Sequence, residues 1–78
     1  MKLIGIIGAM EVEVASLKEM MTDVTIRTKA SMEFNHGYLN GKEVVVVRSG
    51  IGKVNAGICT QILVDDYGVD CVINTGIA

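Results

Sequence analysis

Gly5-Ile6-Ile7-Gly8-Ala9-Met10-Glu11-Val12-Glu13-Val14 decides the fold. The stretch begins inside a short apolar strand, turns at Gly8, and opens a helix that carries two carboxylates near its start. Lys2 to Gly8 is a nearly unbroken apolar run of strand length, the pattern of a strand covered on both faces. Gly8 allows close backbone approach at the turn. From about Glu11 to Met21, the spacing of Met10, Val14, Leu17 and Met21 draws one apolar stripe along a helix. Glu13 falls one turn from both Met10 and Leu17, at the inward edge of that stripe, and Glu11 falls on the exposed side. Carboxylates near a helix start are favoured by the macrodipole by about 0.3–1 kcal/mol each. That explains Glu11 and competes evenly with a chemical role for Glu13. The arrangement puts acidic chemistry at the carboxyl end of a buried strand, where open α/β sheets hold their ligands.

Downstream, Thr22-Asp23 reads as a break and Val24 to Thr28 as a short strand. Met32 to Leu39 alternates Met32, Phe34, His36 and Tyr38 with Glu33, Asn35 and Gly37, an antiparallel strand with one buried face. Asn40-Gly41 is a two-residue hairpin turn of the I′ type. Val44 to Val47 follows as a central strand buried on both faces. Arg48-Ser49-Gly50-Ile51-Gly52-Lys53 invites comparison with phosphate loops, but Val54 stands where a P-loop needs Ser or Thr. Asn55 likewise stands where the dinucleotide fingerprint needs its third glycine. What survives is a glycine turn with free N–H groups at a helix start. The helix predicted from about Lys53 to Tyr67 is apolar almost all round, so burial on two sides is expected. Gly68 is its stop, and Val69 to Asn74 is read as a buried strand parallel to the first. Glycine turns thus follow Ile7, Ser49 and Asn74. If their strands are parallel neighbours, all three turns line one edge. A crevice there with one inward glutamate suits a small neutral or cationic ligand better than free phosphate.

Half of the 78 residues are hydrophobic and 21% are charged, a globular balance. A chain this short buries only about 60% of its unfolded surface. The closing Ile73-Asn74-Thr75-Gly76-Ile77-Ala78 runs from a strand into a glycine turn. The expectation is one domain, with residues 1–78 as the N-terminal part of it. A net charge of −2 with scattered basic residues leaves no footprint for nucleic acid. Cys59 and Cys71 match neither a CxxC pair nor a zinc spacing, and are expected as two buried, reduced thiols of a cytoplasmic protein. His36, the only histidine, is expected to be satisfied within the hairpin rather than catalytic, and no metal or cofactor site is expected. No apolar run approaches the ~18 residues of a membrane span, and Glu11 and Glu13 argue against a signal peptide.

The run GIIGAMEVEV, then SGIGKVNA, then INTGIA, with the YLNGKEV hairpin between, resembles the bacterial 5′-methylthioadenosine/S-adenosylhomocysteine nucleosidases. These belong to the purine nucleoside phosphorylase-like superfamily, and the likeness covers the whole chain. It implies an α/β fold of three layers, α/β/α, around a central mixed sheet. It implies an enzyme that hydrolyses the N-glycosidic bond, releasing adenine and a 5-thioalkyl ribose in methionine and purine salvage. By the resemblance, Glu13 helps position and activate the attacking water. Ala9 and Met10 match positions lining the purine or ribose side, and Ile51 matches a residue packing on the ribose and its 5′-thioalkyl group. Many members read T-G-S-A-G-G where this chain reads Thr75-Gly76-Ile77-Ala78. Ile77 thus lacks a hydroxyl, and backbone contacts from Ile77 and Ala78 are what the resemblance leaves there. It places the adenine-protonating acid and the ribose-binding glutamate beyond residue 78. It implies a nucleoside as small-molecule partner, no nucleic acid, no membrane, no cofactor, and a homodimer. Alternatives are a futalosine hydrolase, a nucleoside phosphorylase, or a non-catalytic nucleotide-binding domain of this fold.

Overall fold

The computed structural model describes residues 2–8, 11–48 and 53–74, with the backbone alone described for Glu11, Glu13 and residues 53–56. Strand β1 spans Ile4–Gly8 and is followed by helix α1, Glu11–Met20. Three strands come next: β2, Met21–Lys29; β3, Met32–Leu39; and β4, Lys42–Arg48. Helix α2, Lys53–Ile62, continues into a π-helical turn, Leu63–Tyr67, before strand β5, Cys71–Asn74. The five strands form one mixed sheet in the order β2-β3-β4-β1-β5. The β2–β3–β4 half is an antiparallel meander, whereas β1 is parallel to both β4 and β5.

Strand alternation divides the apolar side chains between two layers. Ile6, Val44 and Val46 pack with Val14 of α1 on one face. Ile7, Val45 and Val47 pack with Cys59 of α2 and Leu63 of the π turn on the other. The four consecutive valines therefore supply both cores, two to each. With a helix on either side of a mixed sheet, the fold is the expected three-layer α/β/α arrangement. Beyond that, Phe34 stacks on Tyr67 with ring centroids 5.7 Å apart, tying the π turn to the meander. The helix ends as expected at Gly68, whose N–H returns to the Val64 carbonyl at 3.1 Å while that of Val69 reaches Leu63 at 3.2 Å.

The I′ turn is present, with φ of 54° at Asn40 and 79° at Gly41. A second two-residue turn was not foreseen: Ala30 and Ser31 join β2 to β3 with φ of 53° and 65°. β2 is also longer than expected. It starts at Met21 directly after α1, and the Thr22-Asp23 break is instead a register shift between Thr22 and Thr25 within the strand. Gly37 faces that irregularity, where a Cβ would stand 2.8 Å from the Thr22 carbonyl oxygen.

Two expectations of burial, for β3 and β5, are corrected. β3 is covered on both faces, with Asn35 and Gly37 buried, because α1 and the irregular part of β2 lie over the side read as solvent-facing. Within the described residues α2 and the π turn bury one side, with Cys59 and Leu63 fully enclosed, while Ile58 and Val64, 43% and 49% exposed, lie on the second side, whose expected cover is a further part of the protein or another subunit. Among the described residues nothing packs on their outer edge. β5 is an edge strand rather than a buried one, with Cys71, Ile73 and Asn74 exposed, since β1 flanks it on one side only. Cys71 is accordingly not the buried thiol expected of it, whereas Cys59 is.

Candidate active site

Parallel registers set the geometry of the edge on which the three glycine turns were placed. Ile7 pairs with Val47 of β4 and with Asn74 of β5, and Gly8 pairs with Arg48. The last residues of β4, β1 and β5 thus stand side by side, spread over about two strand spacings, roughly 10 Å. From Gly8 the chain turns to α1 on one face, and from Arg48 to α2 on the other. Adjacent strands whose connections depart to opposite faces create a crevice at their carboxyl ends, the usual ligand position in such sheets.

Each expected site residue follows one of these strand ends. Ala9 and Met10 come directly after Gly8, Ile51 lies between Arg48 and α2, and Ile77 and Ala78 come after Asn74. All five lie outside the described residues. Glu13 sits in the first turn of α1 by its backbone, and its side chain is outside the description. What the fold brings together is therefore the roots of the three segments. α2 offers its helix start to the same edge and has no acidic residue in its first turn, so its backbone N–H groups keep the positive end of the dipole.

Two features near this edge escaped the sequence reading. Arg48 reads in the sequence only as the end of a hairpin strand, yet the register sets it beside Gly8. A parallel alignment of GIIG with VVVR would have revealed the pairing. Asn35 had been placed on an exposed face, yet it is 1% exposed beneath α1. Its Nδ2 donates to the Val46 carbonyl at 3.0 Å. His36, as expected, is satisfied away from the crevice: its Nε2 lies 2.6 Å from Glu43 Oε2, and Tyr67 meets the ring edge-on at 5.7 Å. Burial pushes the Tyr67 hydroxyl up, against the lowering charges of Arg27 and Lys29 and with a further rise from Asp66. Burial also drives the Cys59 thiol up to about 11, so it is an inert packing group rather than a nucleophile.

A family model for the Phosphorylase superfamily matches residues 3–78. The chain belongs to that superfamily. This Phosphorylase-superfamily chain is 59% identical over 75 residues to a 5′-methylthioadenosine/S-adenosylhomocysteine nucleosidase of Shewanella loihica, a match that covers 96% of this chain and 33% of that protein. It superposes with a TM-score of 0.90 and 52% identity on the corresponding nucleosidase of Colwellia psychrerythraea, solved in complex with adenine, covering 94% of this chain and 30% of that one. A futalosine hydrolase mutant of Helicobacter pylori superposes with a TM-score of 0.88 at 30% identity, over 100% of this chain and 35% of that one. The chain spans about a third of the length of the curated relatives it matches.

Proposed function

We propose that these 78 residues form the N-terminal part of a single nucleoside phosphorylase-like domain, and that the protein containing it hydrolyses 5′-methylthioadenosine and S-adenosylhomocysteine to adenine and a 5-thioalkyl ribose. The observation that carries this reading is the in-register ending of β4, β1 and β5. It roots the three segments that match the nucleosidase motifs at one edge. Identity to curated nucleosidases supports the same reading.

In the proposed mechanism the glycosidic bond breaks through an oxocarbenium-like sugar, as in glycoside hydrolysis generally. The Glu13 carboxylate accepts a proton from water as its oxygen bonds the anomeric carbon. The bonding electrons leave with adenine, which takes a proton from an acid outside these 78 residues. Ala9 and Met10 line the purine and ribose, Ile51 packs on the ribose and its 5′-thioalkyl group, and Ile77 and Ala78 contribute backbone groups. The chain alone is accordingly inactive. The proposal includes a homodimer, a cytoplasmic location and a role in methionine salvage.

Futalosine hydrolysis is the second reading, favoured by the likeness to the Helicobacter pylori enzyme. Phosphorolysis is the third, since Arg48 stands in register with Gly8 although Gly8–Glu11 itself contains no arginine. One assay separates them: release of the free purine base by the full-length protein, adenine from methylthioadenosine and hypoxanthine from futalosine, with and without phosphate. Phosphate-independent turnover of methylthioadenosine is expected. Dependence on phosphate, with ribose 1-phosphate products, would overturn hydrolysis, and preference for futalosine would overturn the substrate.

A further inference from the structure

A cleft of about 280 Å³ lies on the α1 side of the sheet, with Val14, Ala15 and Lys18 of α1 on one wall and Ser31, Glu33 and Arg48 on the other. Strand register fixes its position. Arg48 is the last residue of β4 and stands beside Gly8. Phe34 pairs with Val47 on antiparallel β3, so Glu33 and Ser31, which precede Phe34, lie at the same carboxyl edge. Alternation turns Arg48 and Glu33 to the side of Val46, which packs with Val14 of α1. The cleft therefore stands at the edge of the candidate site, where the chain leaves β4 towards Ile51. Ile51 is three positions past Arg48, at most about 11 Å of extended chain.

Its walls carry both signs of charge. Lys18 and Arg48 supply two cations, Glu33 one anion, and Ser31 a hydroxyl. Among the described residues neither Lys18 nor Glu33 is held in an ion pair. The two nucleosides of the proposed reaction share adenine and ribose and differ only beyond the 5′-sulfur. Methylthioadenosine ends there in a methyl group, which gains nothing from charged walls. S-adenosylhomocysteine continues through two methylenes to a carbon that carries a carboxylate and an ammonium. The carboxylate matches the two cations and the hydroxyl, and the ammonium matches Glu33. The methylenes need only an apolar wall, which Val14 and Ala15 provide. A purely anionic tail would be opposed by Glu33, and a purely cationic one by Lys18 and Arg48.

We propose that this cleft is the subsite for the amino-acid end of S-adenosylhomocysteine, with Lys18, Arg48 and Ser31 on its carboxylate and Glu33 on its ammonium. These residues then set the preference between the two nucleosides. The inference rests on the nucleosidase reading and deepens it. Adenine release by the full-length protein is measured with both nucleosides, and with 5′-thioethers of adenosine whose tail keeps only the carboxylate or only the amine. The complete tail should be preferred to either single-charge tail. Lys18→Met and Glu33→Gln should each lower the ratio of kcat/KM for S-adenosylhomocysteine to that for methylthioadenosine by about fivefold, the scale of a partly exposed charge pair. The loss should appear in KM for S-adenosylhomocysteine, and turnover of methylthioadenosine in the same assay reports that each variant is folded. Turnover of both nucleosides with the ratio unchanged in both variants would overturn the subsite alone. So would a carboxylate-only tail as good as the complete one, which would mean a plain anion site. No adenine from either nucleoside would overturn the nucleosidase reading, and the subsite with it.

Discussion

The two halves of the sheet are built on different principles. The β2–β3–β4 meander is closed by two-residue turns, and its strands find their register through short-range pairing. At its centre Phe34 is fully buried against Tyr67. The β4–β1–β5 half is parallel, so each strand reaches its neighbour only through a long crossover. It ends in a short exposed strand whose inner side alone is paired. The local half supplies stability to the chain. The nonlocal half supplies an aligned carboxyl edge, and among the described residues Ile73 of its outer strand stays 48% exposed. Stability and the candidate site are thus drawn from opposite ends of one sheet, with β4 shared between them.

Paired truncations test that division most strongly. Phe34→Ala should cost about 3–5 kcal/mol in denaturant unfolding, whereas Ile73→Ala on exposed β5 should cost less than about 1 kcal/mol. Similar costs would break the comparison.

Alkaline titration probes the layer beneath both halves. Burial raises the folded-state pKa of Cys59 from 9.0 to about 11, so the fold favours the protonated thiol. That stabilisation is complete below pH 9.0 and is lost as pH rises through about 11, at most about 3 kcal/mol. Cys59→Ala should flatten this limb of a stability-against-pH curve, with Cys71→Ala as the control. Tyr67, also raised by burial from its ordinary 10.0, supplies a further decline as pH rises above 10.0 that Tyr67→Phe removes.

The smallest effect belongs to the unforeseen turn. Ala30 holds φ of 53° without the tolerance of Asn or Gly for that region. Ala30→Asn should therefore stabilise by about 0.5–1 kcal/mol, read as a rise in the unfolding midpoint. No gain would mean that the β2–β3 turn is not strained.

Much of this was legible in the residues. The Asn40-Gly41 turn, the valine run, the Gly68 stop and the order of strands and helices each carry a local chemical signature. So does the shared edge, once three glycine turns are seen to follow three apolar runs. The Ala30-Ser31 turn was hidden because neither residue favours positive φ, so tertiary pairing rather than propensity sets it. Asn35 misled because polarity was taken for exposure, although its amide is satisfied on one side by the strand it lies against. The exposure of Ile58, Val64 and Ile73 could not be read from hydropathy, which records what a side chain prefers rather than what is present to cover it. Of the candidate site, the residue types came from motif likeness. The alignment of the strand ends that precede them came from strand register, which no single segment encodes.

The central claim is that the carboxyl edge of β1 delivers Glu13 as the water-activating base. The direct measurement is turnover of methylthioadenosine by a Glu13→Gln variant of the full-length protein, alongside equilibrium binding of the nucleoside. A loss of about 10²–10⁴-fold in kcat with binding retained is the predicted result. Near-normal turnover would contradict it, and would return Glu13 to the helix-start electrostatics that explain Glu11.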